Sequence, residues 1–153
     1  MMTRRNNLTL SVLVALVLPL VAGATDYREI NPKAWTAHTV NDAVQAMYGD
    51  IKLIKSADVI LKMPSISSQG GAVPIAIKST IDAKSVSLYQ NANPESAVAV
   101  WTVPEGGIVN YNVKVKLKTI VRGTPSEVTV VIEGKDGQYY TANASVVVSG
   151  GCE

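Results

Sequence analysis

The chain carries one cysteine, Cys152, next to its last residue, Glu153. A thiol is a nucleophile, a redox centre or a point of covalent attachment. Here two glycines, Gly150 and Gly151, precede it and follow Ser149. Glycine lacks a Cβ and visits nearly every backbone region, so Ser149-Gly150-Gly151 reads as a flexible arm rather than as continued strand. From Val148 to Cys152 an extended arm reaches roughly 13–14 Å, at about 3.3–3.6 Å per residue. That length carries a thiol on a thin stem into a narrow pocket of another protein. The carboxylate of Glu153 and the chain-terminal carboxylate expected beside it both disfavour a nearby thiolate. No Lys, Arg or His adjoins Cys152. The thiol is therefore expected at or above its ordinary range, and whatever loads it must supply the activation.

The remaining reactive residue types do not assemble into a catalytic set. The single histidine, His38, and the single cysteine fall short of the usual zinc spacings. His38 stands far from Cys152 in sequence, just before a predicted helix, where a solvated position is expected. No glycine-rich loop opens a helix as a phosphate cradle, and no pair of carboxylates stands out as an acid–base couple. The expectation is a protein that is not an enzyme and that needs no cofactor or metal.

Electrostatics and the leader narrow the class further. Met1-Met2-Thr3-Arg4-Arg5 is followed by an uncharged, apolar stretch from Leu8 that closes on Ala22-Gly23-Ala24. A basic start, a short apolar run and small residues at its end read as a secretory signal peptide over residues 1–24. Thr3-Arg4-Arg5 with Leu8 is a partial match to the twin-arginine pattern. The whole chain has 14 basic and 12 acidic residues. Removing Arg4 and Arg5 with the leader leaves 12 of each and a formal charge near zero. That balance gives no footprint for nucleic acid or an anionic membrane. An exported protein usually pairs its cysteines, so a lone one implies a working thiol or a bond to another chain.

The elements that must position the arm are mostly strands. Residues 25–38 read as polar and irregular. Thr39 with Asp42 three residues on predicts a capped helix start. Val40, Ala43, Val44 and Met47 share one helical face, and Gly49 ends it. Val59, Leu61 and Met63 alternate with polar or outward residues. Residues 64–71, rich in Ser and Gly, read as a loop. Strands are predicted over 72–79 and 83–89, with a turn at 91–94. Residues 97–103, a nearly continuous apolar run, predict a strand covered on both faces. Val109, Tyr111, Val113, Val115 and Leu117 alternate with Asn and Lys, one face buried and one wet. Val128, Val130 and Ile132 repeat that pattern. Lys135-Asp136-Gly137 signals a hairpin, and Tyr140, Ala142, Ala144, Val146 and Val148 form the inward set of the last strand. The sum is an all-β, immunoglobulin-like β-sandwich of about seven strands over residues 25–149. It has a short N-terminal helix and a C-terminal arm at 150–153.

Ser149-Gly150-Gly151-Cys152 after Val146-Val147-Val148 resembles the end of the SoxY family, the sulfur-carrier subunits of periplasmic thiosulfate-oxidising systems. Ala34-Trp35 and Ala43-Val44-Gln45-Ala46-Met47-Tyr48-Gly49 are similar to that family's N-terminal helix. Met63-Pro64-Ser65-Ile66 and Val73-Pro74-Ile75 are similar to its first strand pair. The resemblance implies a periplasmic carrier whose Cys152 holds thiosulfate-derived sulfur covalently while other proteins act on it. The implied partners are a SoxZ-like subunit in a heterodimer and the Sox cytochrome, hydrolase and sulfur dehydrogenase. One departure stands out: the family's Gly-Gly-Cys-Gly-Gly ends here as Gly150-Gly151-Cys152-Glu153. The residues alone leave a second reading open, an immunoglobulin-like adaptor whose terminal cysteine is incidental or ties two copies together.

Overall fold

The computed structural model describes residues 25–118 and 123–149. The predicted leader at 1–24 and the arm at 150–153 lie outside the described residues. Two short turns open the fold. Asp26 caps helix α1 (Tyr27–Ile30) by accepting from the Arg28 amide at 2.9 Å. Pro32, whose fixed φ suits a helical first turn, starts a 3-10 turn over Pro32–Trp35. The Trp35 indole donates to the Tyr27 carbonyl at 3.1 Å, and the Arg28 guanidinium lies 4.0 Å over its ring. Residues 25–38 are thus more ordered than their polar composition predicts.

Helix α2 (Val40–Tyr48) forms where the sequence places it. The Thr39 hydroxyl accepts from the Asp42 amide at 3.1 Å and donates to the Asp42 carboxylate at 2.7 Å. This closes the first turn from both sides. Gly49 stops the helix at a φ of 83°, a value that glycine adopts without strain. Ala43 and Val44 bury against Tyr89 and Val131.

Nine strands occur among the described residues: β1 (Leu53–Lys55), β2 (Val59–Lys62), β3 (Ile66–Ser67), β4 (Val73–Ser79), β5 (Ala83–Gln90), β6 (Ala97–Thr102), β7 (Val109–Val115), β8 (Pro125–Gly134) and β9 (Tyr139–Val148). They make two sheets. One has the order β1-β9-β8-β5-β6 with β3 also on β9; the other is β2-β4-β7. The main core fills the space between them, built from Ile75, Ile77, Val86, Leu88, Val130, Ile132 and their neighbours. Helix α2 covers the outer face of the larger sheet, so β5 is buried on both faces: Val86 and Leu88 look into the main core, Tyr89 into the helix layer. The hairpin at Lys135-Asp136-Gly137 is present, with Gly137 at a φ of 80° and Asp136 accepting from the Gln138 amide at 3.0 Å.

Three expectations are corrected. The count is nine strands rather than about seven, because β1 and β3 were not visible as patterns. The stretch 64–71 is not all loop: it holds β3 and part of a 3-10 turn at Gly70–Ala72. Strand β6 is covered less fully than expected, with Val98 and Trp101 against the main core and Ala97 against the helix layer. It is an edge, paired only with β5 among the described residues, and its residues from Ala97 to Trp101 are half-buried.

Candidate functional site: the root of the C-terminal arm

The last described residue, Ser149, adjoins the arm expected from the sequence, and two neighbours hold it. On one side β9 runs antiparallel to β8, with Pro125 opposite Val147 and Ser126 opposite Val146. On the other side β3 runs parallel to β9, Ile66 opposite Val147 and Ser67 opposite Val148. The Val147 amide donates to the Ser65 carbonyl at 2.9 Å. The Ser149 amide donates to the Ser67 carbonyl at 2.9 Å, and its hydroxyl to the same oxygen at 3.3 Å. Inward, Val146 and Val148 are buried in the main core. The chain is therefore fixed through Ser149 by a ladder on each side and by side chains below.

Of the predicted site residues, the structure places Ser149 at this root. Gly150, Gly151 and Cys152 lie outside the described residues. From Ser149 three residues lead to Cys152, a reach of roughly 10–11 Å when extended. Sequence reasoning missed Ser65 and Ser67. Their backbone carbonyls do the holding, and a backbone acceptor leaves no mark in side-chain pattern. The same end of the sandwich carries basic charge that the local sequence around Cys152 lacks. Leu117, between the exposed Lys116 and Lys118, donates to the Gly70 carbonyl at 2.7 Å, three residues from Ser67.

Other polar groups are engaged elsewhere. His38 is exposed, with Nδ1 2.8 Å from the Pro94 carbonyl oxygen, an arrangement in which Nδ1 carries the proton. Under α2 the Tyr48 hydroxyl donates to Ser87 at 3.0 Å and meets Ser85 at 3.2 Å, while Ser85 donates to Glu133 at 2.9 Å. A cleft of about 780 Å³ lies at the end of the sandwich away from the arm root, between Ile60, Ile81 and Ile108. Its Lys135 is already paired with Asp82 and Glu105, each at 2.9 Å. Among the described residues no group of three His, Cys, Asp or Glu side chains could hold a metal ion. Nor is any helix there long and apolar enough to cross a membrane.

The described residues form a β-sandwich with a covering helix, its last strand held on both flanks as far as Ser149. Comparison with known proteins gives the family. The model of the SoxY family, "Sulfur oxidation protein SoxY", matches residues 44–152. The chain belongs to the SoxY family. Among solved structures, the sulfur carrier protein SoxY from Chlorobium limicola f. thiosulfatophilum is 25% identical with a TM-score of 0.57. The match covers 71% of this chain and 94% of that one. A variant of superoxide reductase (neelaredoxin) from Ignicoccus hospitalis shares the fold at 10% identity and a TM-score of 0.51, over 63% of this chain and 94% of that one. No curated protein sequence matches the chain. Family and fold together give the chain a carrier's part in sulfur oxidation, not an enzyme's.

Proposed function

We propose that the chain is a periplasmic sulfur carrier that holds thiosulfate-derived intermediates covalently on Cys152 and presents them to partner enzymes. The observation that carries this reading is the family match, which runs to residue 152, the cysteine itself. The locked strand end supports it: a rigid root with two glycines beyond it gives a thiol reach without loosening the body.

The chemistry asks little of this chain. Oxidative loading joins the Cys152 thiolate to the outer sulfur of thiosulfate, forming one S–S bond and releasing two electrons to the Sox cytochrome. Water then cleaves the terminal S–S bond of that thiosulfonate conjugate in the hydrolase, releasing sulfate and leaving a persulfide. A sulfur dehydrogenase oxidises the outer persulfide sulfur to a sulfonate, taking six electrons and drawing three oxygens from water. A second hydrolysis returns the free thiol. Each step needs the sulfur atom inside another protein's site, and the arm at 150–153 delivers it. The signal peptide at 1–24 takes the chain to the periplasm, and a SoxZ-like subunit is its heterodimer partner. Glu153, directly after the cysteine, adds a negative charge beside the cargo, so enzymes serving this chain must admit a carboxylate there.

Intact-mass spectrometry tests the reading. Incubation with thiosulfate and the loading cytochrome adds mass to the mature chain; a thiol reductant removes it, and Cys152→Ser never acquires it. A Cys152→Ser chain that still gains the adduct, or a wild-type chain that gains none, sinks the proposal. An adaptor would instead show only reducible dimers.

A further inference from the structure

Strand β7 ends at Val115, and its ladder with β4 ends there too, Val73 opposite Val115. The chain runs on through Lys116, Leu117 and Lys118 outside any strand. Leu117 is buried in the main core, so this segment is drawn inward while its backbone polar groups need partners. Asn93, in the turn between β5 and β6, supplies them. Its side-chain amide donates to the Lys116 carbonyl at 2.7 Å and accepts from the Lys118 amide at 3.0 Å. A primary amide offers both a donor and an acceptor, so this one side chain takes the place of a residue in a neighbouring strand.

The turn that carries Asn93 is itself held firmly. Gln90, buried beneath it, accepts from the Ala92 and Asn93 amides at 2.6 and 2.7 Å and donates to the Glu95 carbonyl at 2.6 Å. Asn91 exchanges two bonds with Glu127 of β8: its amide donates to the Glu127 carbonyl at 3.2 Å, and its side chain accepts from the Glu127 amide at 2.8 Å. Glu127 lies opposite Ser145, in the part of β8 that pairs with the end of β9. On the other flank, the Leu117 amide holds the Gly70 carbonyl at 2.7 Å. Next to Gly70, Gln69 is tied to Ser67, whose hydroxyl accepts from the Gln69 amide at 3.3 Å and donates to the Gln69 carbonyl at 3.1 Å. The Ser67 carbonyl in turn takes the Ser149 amide.

We propose that Asn93 is a positioning residue for the tail: by standing in for a strand beside 116–118 it fixes the Gly70 turn, and through it the β3 segment against which Ser149 is pinned. With Asn91 gripping β8, one turn braces both flanks of the strand end. This rests on the carrier reading and adds the residue that sets where the thiol's tether begins, and so the radius it sweeps.

Hydrogen exchange on the full mature chain tests this. Asn93→Leu keeps the size of the side chain and removes both bonds. The Lys118 and Ser149 amides then exchange about tenfold faster, the change that two hydrogen bonds of ordinary net strength imply. Asn93→Asp still accepts from the Lys118 amide but cannot donate to Lys116, and falls between. Val44→Ala, a core truncation in α2, is the control. It lowers the thermal midpoint at least as far as Asn93→Leu, yet leaves Ser149 at the wild-type rate, because strand ends exchange by local opening. Thermal midpoints confirm that each variant folds. Ser149 exchange that ignores Asn93→Leu, or that quickens as much in Val44→Ala, overturns the proposal. Loading of Cys152 is followed by mass in the same samples. A wild-type chain that never loads overturns the carrier reading, while the response of Ser149 to Asn93 decides the brace separately.

Discussion

Tyr48 shows how a single residue holds two layers together. Its ring packs on Tyr139, centroids 5.1 Å apart, and its hydroxyl reaches Ser85 and Ser87 on the helix side of β5. Burial pushes its phenol up to about 12 from an ordinary 10.0; the two serine bonds pull the other way, and Glu133 adds to the rise. The folded value lies above the unfolded one, so the stability tied to the neutral phenol is complete below pH 10 and lost as pH climbs toward 12. A rise of that size corresponds to about 2–3 kcal/mol. Tyr48→Phe is expected to flatten the alkaline fall in denaturant-measured stability between pH 10 and 12. Tyr89, pushed up further still by burial, keeps a second such fall in place. At neutral pH the variant loses about 1 kcal/mol, because Ser85 and Ser87 keep Glu133 and the Val131 carbonyl as partners. An unchanged alkaline limb would show that Tyr48 is hydrated. At this scale the sequence was most legible where a residue type is rare: Cys152 stands out by count alone. The roles of Ser65 and Ser67 do not, since any residue supplies a carbonyl.

Among the elements, those with a repeating burial pattern were readable. Val109, Tyr111, Val113, Val115 and Leu117 alternate because one face of β7 meets the core, and Thr39 and Gly49 mark α2 by their cap chemistry. Strands β1 and β3 were invisible for a physical reason: two or three residues hold no period, and their pairing depends on an edge that β9 offers from far along the chain. Strand β6 misled in the opposite sense. A run of apolar residues fits full burial on two faces, but β6 stands at the edge of its sheet and its side chains are only half-buried. Strand β3 permits a direct check. Ser67→Pro removes an N–H from the paired segment. The amides of Val147 and Ser149 should then exchange with solvent at least tenfold faster, for a global loss of about 1 kcal/mol. Exchange at Ser149 as slow as in wild type would mean that β8 alone secures the strand end.

For the molecule as a whole, the carrier reading separates a body from a tail. Ending the chain after Ser149 should leave the thermal midpoint within about 2 °C of wild type, a shift well under 1 kcal/mol for a domain this size, while abolishing sulfur loading. A drop of 10 °C would show that residues 150–153 belong to the folded body. The placement of the last strand bears on how the body withstands use. Strand β9 lies inside the larger sheet, with β8 on one flank and β1 and β3 on the other. Its ladder bonds run across the strand direction. On the carrier reading, a tug on the cargo that is passed along β9 strains those bonds in shear, many sharing the load. They are not unzipped singly, as they would be had the tail hung from a free hairpin tip. A carrier built this way could be pulled at every turnover without fraying the sheet behind Ser149.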